Sequence, residues 1–162
     1  GNDLLKGENG NDSLSGQNGN DTLEGGAGDD TLTGAGGVNA PEPFSNNGFG
    51  EIDTFIGGTG KDTFVLGSFE AFYDSGEIDE NDYGLIVDFS LEEDTIQLFG
   101  TASDYVLASS PTGLPSGTGI YLDREEDELI GIVQGDTNLT LDSGSFTFVW
   151  SKKLKLAVFI NE

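Results

Sequence analysis

Six aspartates, Asp3, Asp12, Asp21, Asp30, Asp53 and Asp62, fall nine residues apart within two runs, residues 1–33 and 48–65. Asn39 stands at the corresponding place between the runs. Carboxylates repeated in one local frame suit the coordination of a hard cation through oxygen. The chain has no histidine, cysteine or methionine. That excludes thiolate and imidazole metal sites, a disulfide framework, and serine or cysteine triads that depend on histidine. The formal net charge is −24, from 30 acidic and 6 basic residues. Such a balance excludes a basic face for nucleic acid and favours cations, calcium or magnesium, as partners.

The elements that must position these aspartates are written in the same repeat. Residues 7–15 read GENGNDSLS, 16–24 GQNGNDTLE and 25–33 GGAGDDTLT. GNDLLK at 1–6 is the end of another unit. GAGGVNAPE at 34–42 is a degraded unit, with Asn39 for aspartate and Pro41 for the apolar residue, and PFSNN at 43–47 is inserted behind it. The phase returns in GFGEIDTFI at 48–56 and GGTGKDTFV at 57–65. The unit is Gly–x–x–Gly–x–Asp–x–apolar–x, a parallel β-helix type of repeat. Its glycines suit tight turns with positive φ and close approach of backbone to a ligand. Each three-residue strand turns a single side chain inward: Leu5, Leu14, Leu23, Leu32, Phe55 or Phe64. Two strands and two turns, 18 residues, complete one coil, so Asp3 is expected above Asp21 and Asp12 above Asp30.

A cation between such carboxylates resolves two difficulties. Stacked carboxylates repel, and calcium takes six to eight oxygens, which two carboxylates and several turn carbonyls can supply. A buried leucine contributes about 1.5–3 kcal/mol. Ordering the backbone of a nine-residue unit costs about 1–2 kcal/mol per residue. One leucine per unit therefore cannot hold the roll alone, and without metal this polar, charged segment is expected to be disordered. A plain Gly/Asn/Asp linker is the alternative, but a linker has no reason to keep the phase or to reserve position eight for leucine and phenylalanine.

The units GQNGNDTLE, GGAGDDTLT and GGTGKDTFV closely resemble the repeats-in-toxin (RTX) nonapeptides of secreted bacterial proteins, over residues 1–65. GLIVDFSLEEDTIQL at 84–98 resembles the segment that follows such repeats in serralysin-type proteins. The resemblance implies an all-β fold. A parallel β-roll would occupy 1–65, with an insert at about 39–47, followed by a β-rich C-terminal capping and secretion region over 66–162. It further implies calcium in the turns, type I secretion, an extracellular location and folding outside the cell. The ligands carried over are Asp3, Asp12, Asp21, Asp30, Asp53 and Asp62, with Asn39 as a weaker one. Main-chain carbonyls of Gly7, Asn9, Gly16, Asn18, Gly25, Ala27, Gly48, Gly50, Gly57 and Thr59 would join them. Up to five inter-turn sites are expected, with those sharing Asn39 weak or missing.

Beyond residue 65 the repeat gives way to short apolar runs divided by Gly, Pro and Asp turns. Strands are expected at Leu85–Phe89, Thr95–Phe99, Tyr105–Ala108, Gly119–Leu122, Leu129–Val133, Phe146–Trp150 and Leu154–Ile160. EEDEL at 125–129 could form one helical turn. The larger Phe55 and Phe64 suggest a core widening toward this region. The acidic stretches at 74–82 and 123–128 read as solvated loops, the first with an extra calcium site as its alternative. Asp-Ser-Gly triplets at 74–76 and 142–144 read as turns rather than as an aspartic-protease pair. In the C-terminal run 146–162, lysines guard a final edge strand, and the resemblance adds an uncleaved export signal. No run reaches the ~20 apolar residues of a membrane span. No signal-peptide pattern is present, and the opening in mid-unit is expected of a piece of a longer protein.

Three functions compete. The leading one is a calcium-binding module of a larger exported protein, with no catalysis of its own. The second is an adhesive or carbohydrate-binding module, with Tyr73, Tyr83, Tyr105, Tyr121 or Trp150 stacking on a glycan or cell-surface ligand. The third is the non-catalytic C-terminal part of a secreted protease or other hydrolase. Without histidine, this chain cannot itself carry an HExxH zinc site.

Overall fold

The computed structural model describes residues 1–35, 48–68, 71–74, 82–135 and 138–149. Its strands are β1 (Leu4–Asn9), β2 (Ser13–Gln17), β3 (Thr22–Ala27), β4 (Thr31–Ala35), β5 (Ile52–Thr59) and β6 (Thr63–Val65). They continue as β7 (Tyr83–Ile86), β8 (Thr95–Phe99), β9 (Tyr105–Ser109), β10 (Gly117–Leu122), β11 (Glu128–Gln134) and β12 (Phe146–Val149). Among the described residues there is no α-helix, only a 3-10 turn at Ala102–Asp104. Among the described residues no helix is long and apolar enough to cross a membrane.

From β1 to β8, successive strands alternate between two sheets. Sheet A has the order β1-β3-β5-β7-β11-β10-β9 and sheet B the order β12-β8-β6-β4-β2. Pairing is parallel throughout, except where β10 runs antiparallel to β9 and β11. This is the all-β parallel roll expected. The register sets Leu5 beside Leu23 and Phe55, and Leu14 beside Leu32 and Phe64. Leu23, Leu32, Phe55 and Phe64 are fully buried, and Leu5 and Leu14 pack partly buried against them. The core does widen. Phe55 and Phe64 meet edge-on at 6.2 Å between ring centroids, and Phe89 lies 6.0 Å from Phe64.

The coil length differs from expectation. The first coil spans 18 residues, but Asp21 stacks on Asp53 and Asp30 on Asp62, a spacing of 32. The rung after Asp21 is therefore Asp53. Asn39, Pro41 and the insert at 43–47 lie outside the described residues. A parallel pair needs matched strands but does not fix the length of the connection between them.

The sequence repeat ends at 65, and the stacking does not. β7 pairs with β5 and β8 with β6, then β11 joins β7 and β12 joins β8, all parallel. The later strands appear close to their expected places, with β7 two residues earlier, at Tyr83–Ile86. Trp150 and the strand expected at Leu154–Ile160 lie outside the described residues. The helical turn expected at 125–129 is absent, because Glu128 and Leu129 open β11.

Candidate metal centre

The roll has two edges of turns. On the A-to-B edge, residues 10–12, 28–30 and 60–62 are three-residue turns, and 87–94 follows them. On the B-to-A edge the turn is 18–21, and the later connections, between β4 and β5 and between β6 and β7, include residues outside the described ones. Asp12, Asp30 and Asp62 end A-to-B turns, Asp21 ends a B-to-A turn, and Asp53 is the second residue of β5, with Asp3 ahead of β1 on the same edge.

Each edge carries a ladder of aspartates. The Asp3 N–H donates to Asp21 Oδ1 at 2.7 Å, and the Asp21 N–H to Asp53 Oδ1 at 2.8 Å. On the other edge, Asp12 N–H donates to Asp30 Oδ1 at 2.8 Å and Asp30 N–H to Asp62 Oδ1 at 2.9 Å. Asp62 N–H continues to Asp94 Oδ1 at 2.9 Å. Asp94 was missed by the sequence reading because it lies beyond the repeat. The signal was its place before the apolar strand TIQL, as in each repeat unit.

A second ladder runs in the opposite sense, and the sequence reading missed it entirely. The side-chain oxygens of Asn2, Asn11, Asn20 and Asp29 accept N–H groups of Asn20, Asp29, Ile52 and Lys61 in the next coil, at 2.9–3.3 Å. The signal was the Asn or Asp one place before each of the first four repeat aspartates. The two ladders satisfy turn N–H groups from both sides.

What remains over is the second oxygen of the repeat carboxylates. Oδ2 of Asp12, Asp21, Asp30 and Asp62 is buried with no hydrogen-bond partner among the described residues. Asp21, Asp30 and Asp62 are about 1 % exposed as whole residues. A buried carboxylate oxygen without a donor is costly unless a cation completes it. Burial pushes the Asp62 and Asp53 carboxyls up to about 6, against hydrogen bonds that lower them. Burial likewise raises Asp21 and Asp94.

The glycines divide the two expected roles by position in the unit. Left-handed backbone occurs at the second position of the unit, in Glu8, Gln17, Gly26 and Gly58, and at the fourth, in Gly10, Gly19, Gly28 and Gly60. The first-position glycine is needed for space instead. A β-carbon on Gly7 would lie 2.7 Å from Asp12 Oδ2 and 2.5 Å from the Gly25 carbonyl oxygen. On Gly25 it would meet Asp30 Oδ2 and, at 2.7 Å, the Gly57 carbonyl oxygen. Carboxylate and next-coil carbonyl thus face one spot, both as acceptors.

These features fit a calcium site, for oxygen donors without protons are what that ion takes. Among the described residues no three acidic side chains converge, so most ligands would have to be carbonyls. Of those expected, Ala27 and Thr59 each already accept one N–H, from Gly10 and Gly28, and retain a second lone pair. Asn18 accepts the amino group of Gly1. Gly48 and Gly50 sit differently. The Tyr73 ring occupies the space where a Gly48 β-carbon would lie.

Other expected features also find their places. Asp74 is held by Arg124 at 2.5–2.7 Å, and Arg124 also reaches Glu128 at 2.8 Å. Asp82 and Glu128 are buried, not solvated as the loop readings had them. Glu77, Asp79 and Glu80 lie outside the described residues. Tyr73, Tyr83 and Tyr105 are buried, each carried into the core by the strand or loop beside it, which removes them as a sugar-stacking face. Tyr121 is partly exposed, and its hydroxyl donates to the Ser109 carbonyl at 3.1 Å.

Residues 1–32 and 47–68 match the family model of the RTX calcium-binding nonapeptide repeat, in four copies. No curated protein matches the chain. The matched residues are RTX repeats, and repeats of this kind bind calcium and are not catalytic.

Proposed function

We propose that the chain is a calcium-binding module of a larger exported protein. Its repeats fold when they meet calcium outside the cell and so support type I secretion. The observation that carries this reading is the set of buried Oδ2 atoms on Asp12, Asp21, Asp30 and Asp62 that find no donor. These four carboxylates would hold the ions, with carbonyls of Gly7, Asn9, Gly16, Asn18, Gly25, Ala27, Gly57 and Thr59. Asp3 would add an exposed carboxylate at the first rung. Bound calcium supplies the positive charge that lets like-charged turns stack. The chain's own residues supply the rest: glycines keep the turns open, and the inward Leu/Phe column gives them a common core.

Calcium modules that work outside the cell bind with Kd of about 10⁻⁴–10⁻³ M. Calcium at that level fills the sites after export, while the low-calcium interior leaves the repeats unfolded and threadable. Residues 66–162 would close the far end of the roll, a role supported by the parallel pairing of β7 and β8 with the repeat strands β5 and β6, and of β11 and β12 with β7 and β8. Circular dichroism with chelator and then millimolar calcium tests the reading. β signal should be largely lost in chelator and regained with calcium. Equal β signal in both would refute it.

A further inference from the structure

The Asp53 rung differs from the four orphaned ones. Its Oδ1 accepts the Asp21 N–H at 2.8 Å, as the ladder requires. Its Oδ2 accepts the hydroxyl of Tyr73 at 2.6 Å, so both oxygens are satisfied. Tyr73 is fully buried and has a left-handed backbone, φ 59°. Left-handed backbone is unfavourable for a bulky residue, so the surrounding packing must hold it there. The segment around it is well anchored. Phe72 N–H donates to the Leu66 carbonyl at 2.9 Å, and Gln97 Nε2 to the Gly67 carbonyl at 2.8 Å. Leu66, Ala71 and Phe72 are buried beside it.

The first-position glycines show what Tyr73 replaces. Next to Gly7 and Gly25, an aspartate Oδ2 and a next-coil carbonyl oxygen crowd the same point. Next to Gly34, the two atoms are Asp53 Oδ2 and Tyr73 Oη, each closer than 3.0 Å to a β-carbon built there. A carbonyl facing a carboxylate is a pair of acceptors, which needs a cation, a proton or a water to join it. A hydroxyl facing a carboxylate is a donor and an acceptor, which is complete without any of these. We infer that the Tyr73 phenol takes the place of calcium at the Asp53 rung, leaving a metal-free lock in an otherwise calcium-built ladder. Asp53, expected as a ligand from the repeat, is then a hydrogen-bonding residue. The lock ties the segment after β6 to the folded repeats without an ion at that rung.

This inference rests on the calcium-binding reading above, and its test separates the two. Calorimetric titration with calcium is compared for the unaltered protein, Asp53→Asn and Asp30→Asn. Asparagine keeps both hydrogen bonds of Asp53, because its oxygen can face the Asp21 N–H and its amide can donate to the Tyr73 oxygen. Asp53→Asn should bind as many calcium ions as the unaltered protein, with affinity changed less than threefold. Asp30→Asn should lose a site or weaken binding at least tenfold. Loss in Asp53→Asn equal to that in Asp30→Asn overturns the inference. If Asp53→Asn does not fold, the unaltered calcium-loaded protein decides by NMR. The buried Tyr73 hydroxyl proton should be visible and slow to exchange, and its absence from the calcium-loaded protein overturns the lock. An unaltered protein that binds no calcium refutes the proposed function itself.

Discussion

The two edges of the roll are built from the same nonapeptides and are used differently. The A-to-B edge keeps its turns at three residues through three coils, 10–12, 28–30 and 60–62. The B-to-A edge holds one short turn, 18–21, and then the long connections between β4 and β5 and between β6 and β7. Three of the four orphaned carboxylate oxygens, on Asp12, Asp30 and Asp62, lie on the uninterrupted edge. On the interrupted edge the rung at Asp53 is closed by Tyr73, which comes from one of those long connections. A turn that must aim carbonyls at a shared ion cannot change length, because one extra residue rotates the whole donor set away. A rung closed by a side chain is free of that constraint, and chain can be added beside it.

The sharpest way to break the comparison is to disturb one edge and then the other. Gly28 has φ 130°, and a β-carbon there would strike the Gly10 carbonyl. Gly28→Val should destabilise the calcium-loaded protein by about 3 kcal/mol, from strain and overlap together. Urea unfolding in saturating calcium measures it. Five Gly/Ser residues added between Ala35 and Gly48 should cost less than ~1 kcal/mol in the same assay, because loop entropy grows slowly with length. Equal damage from both changes would mean that the edges do not differ.

Acidity acts on both edges in the absence of metal. Asp53 and Asp62 ordinarily titrate near 3.8 and are raised to about 6 in the fold, and Asp21 and Asp94 are also raised. The folded state therefore binds more protons than the unfolded state between these values, and its stability falls as pH rises through about 6. In chelator, β structure should be greater at pH 5 than at pH 7.5, the reverse of a domain held by ionised carboxylate pairs. Circular dichroism across that range checks the sign. Calcium should flatten the dependence near neutral pH by favouring the charged form.

The smallest effect concerns backbone strain at the second position of the unit. Glu8 and Gln17 hold φ near 72° and 73°, where Gly26 and Gly58 carry none of the side-chain penalty. Glu8→Gly and Gln17→Gly should each relieve about 1 kcal/mol of left-handed strain, partly offset by the greater freedom of glycine in the unfolded chain. A small rise in the calcium-loaded unfolding midpoint is the expected result, one for each edge.

Much of this architecture was legible because the repeat is local. Phase alone placed the inward Leu23, Leu32, Phe55 and Phe64 and the stacking of Asp3 with Asp21. What depends on distant partners was not legible. Nothing near Asp21 states that its next rung is Asp53, because strand pairing, not spacing, selects the partner across the connection 36–51. Nothing near Tyr73 states that its hydroxyl meets Asp53, twenty residues away and on a strand reached only through the coil. Tyr83 and Tyr105 looked like surface aromatics for the same reason, since burial is decided by what the roll stacks above them. The Asn ladder was missed despite being local, because asparagine beside glycine reads as turn chemistry whether or not another coil lies above it.

Calcium-loaded crystals with the ions located by anomalous scattering would test the central claim most directly. Peaks are predicted about 2.3–2.6 Å from Oδ2 of Asp12, Asp21, Asp30 and Asp62, with none at Asp53, where the Tyr73 hydroxyl should remain. Peaks absent from those four oxygens, or an ion seated between Asp53 and a displaced Tyr73, would contradict it.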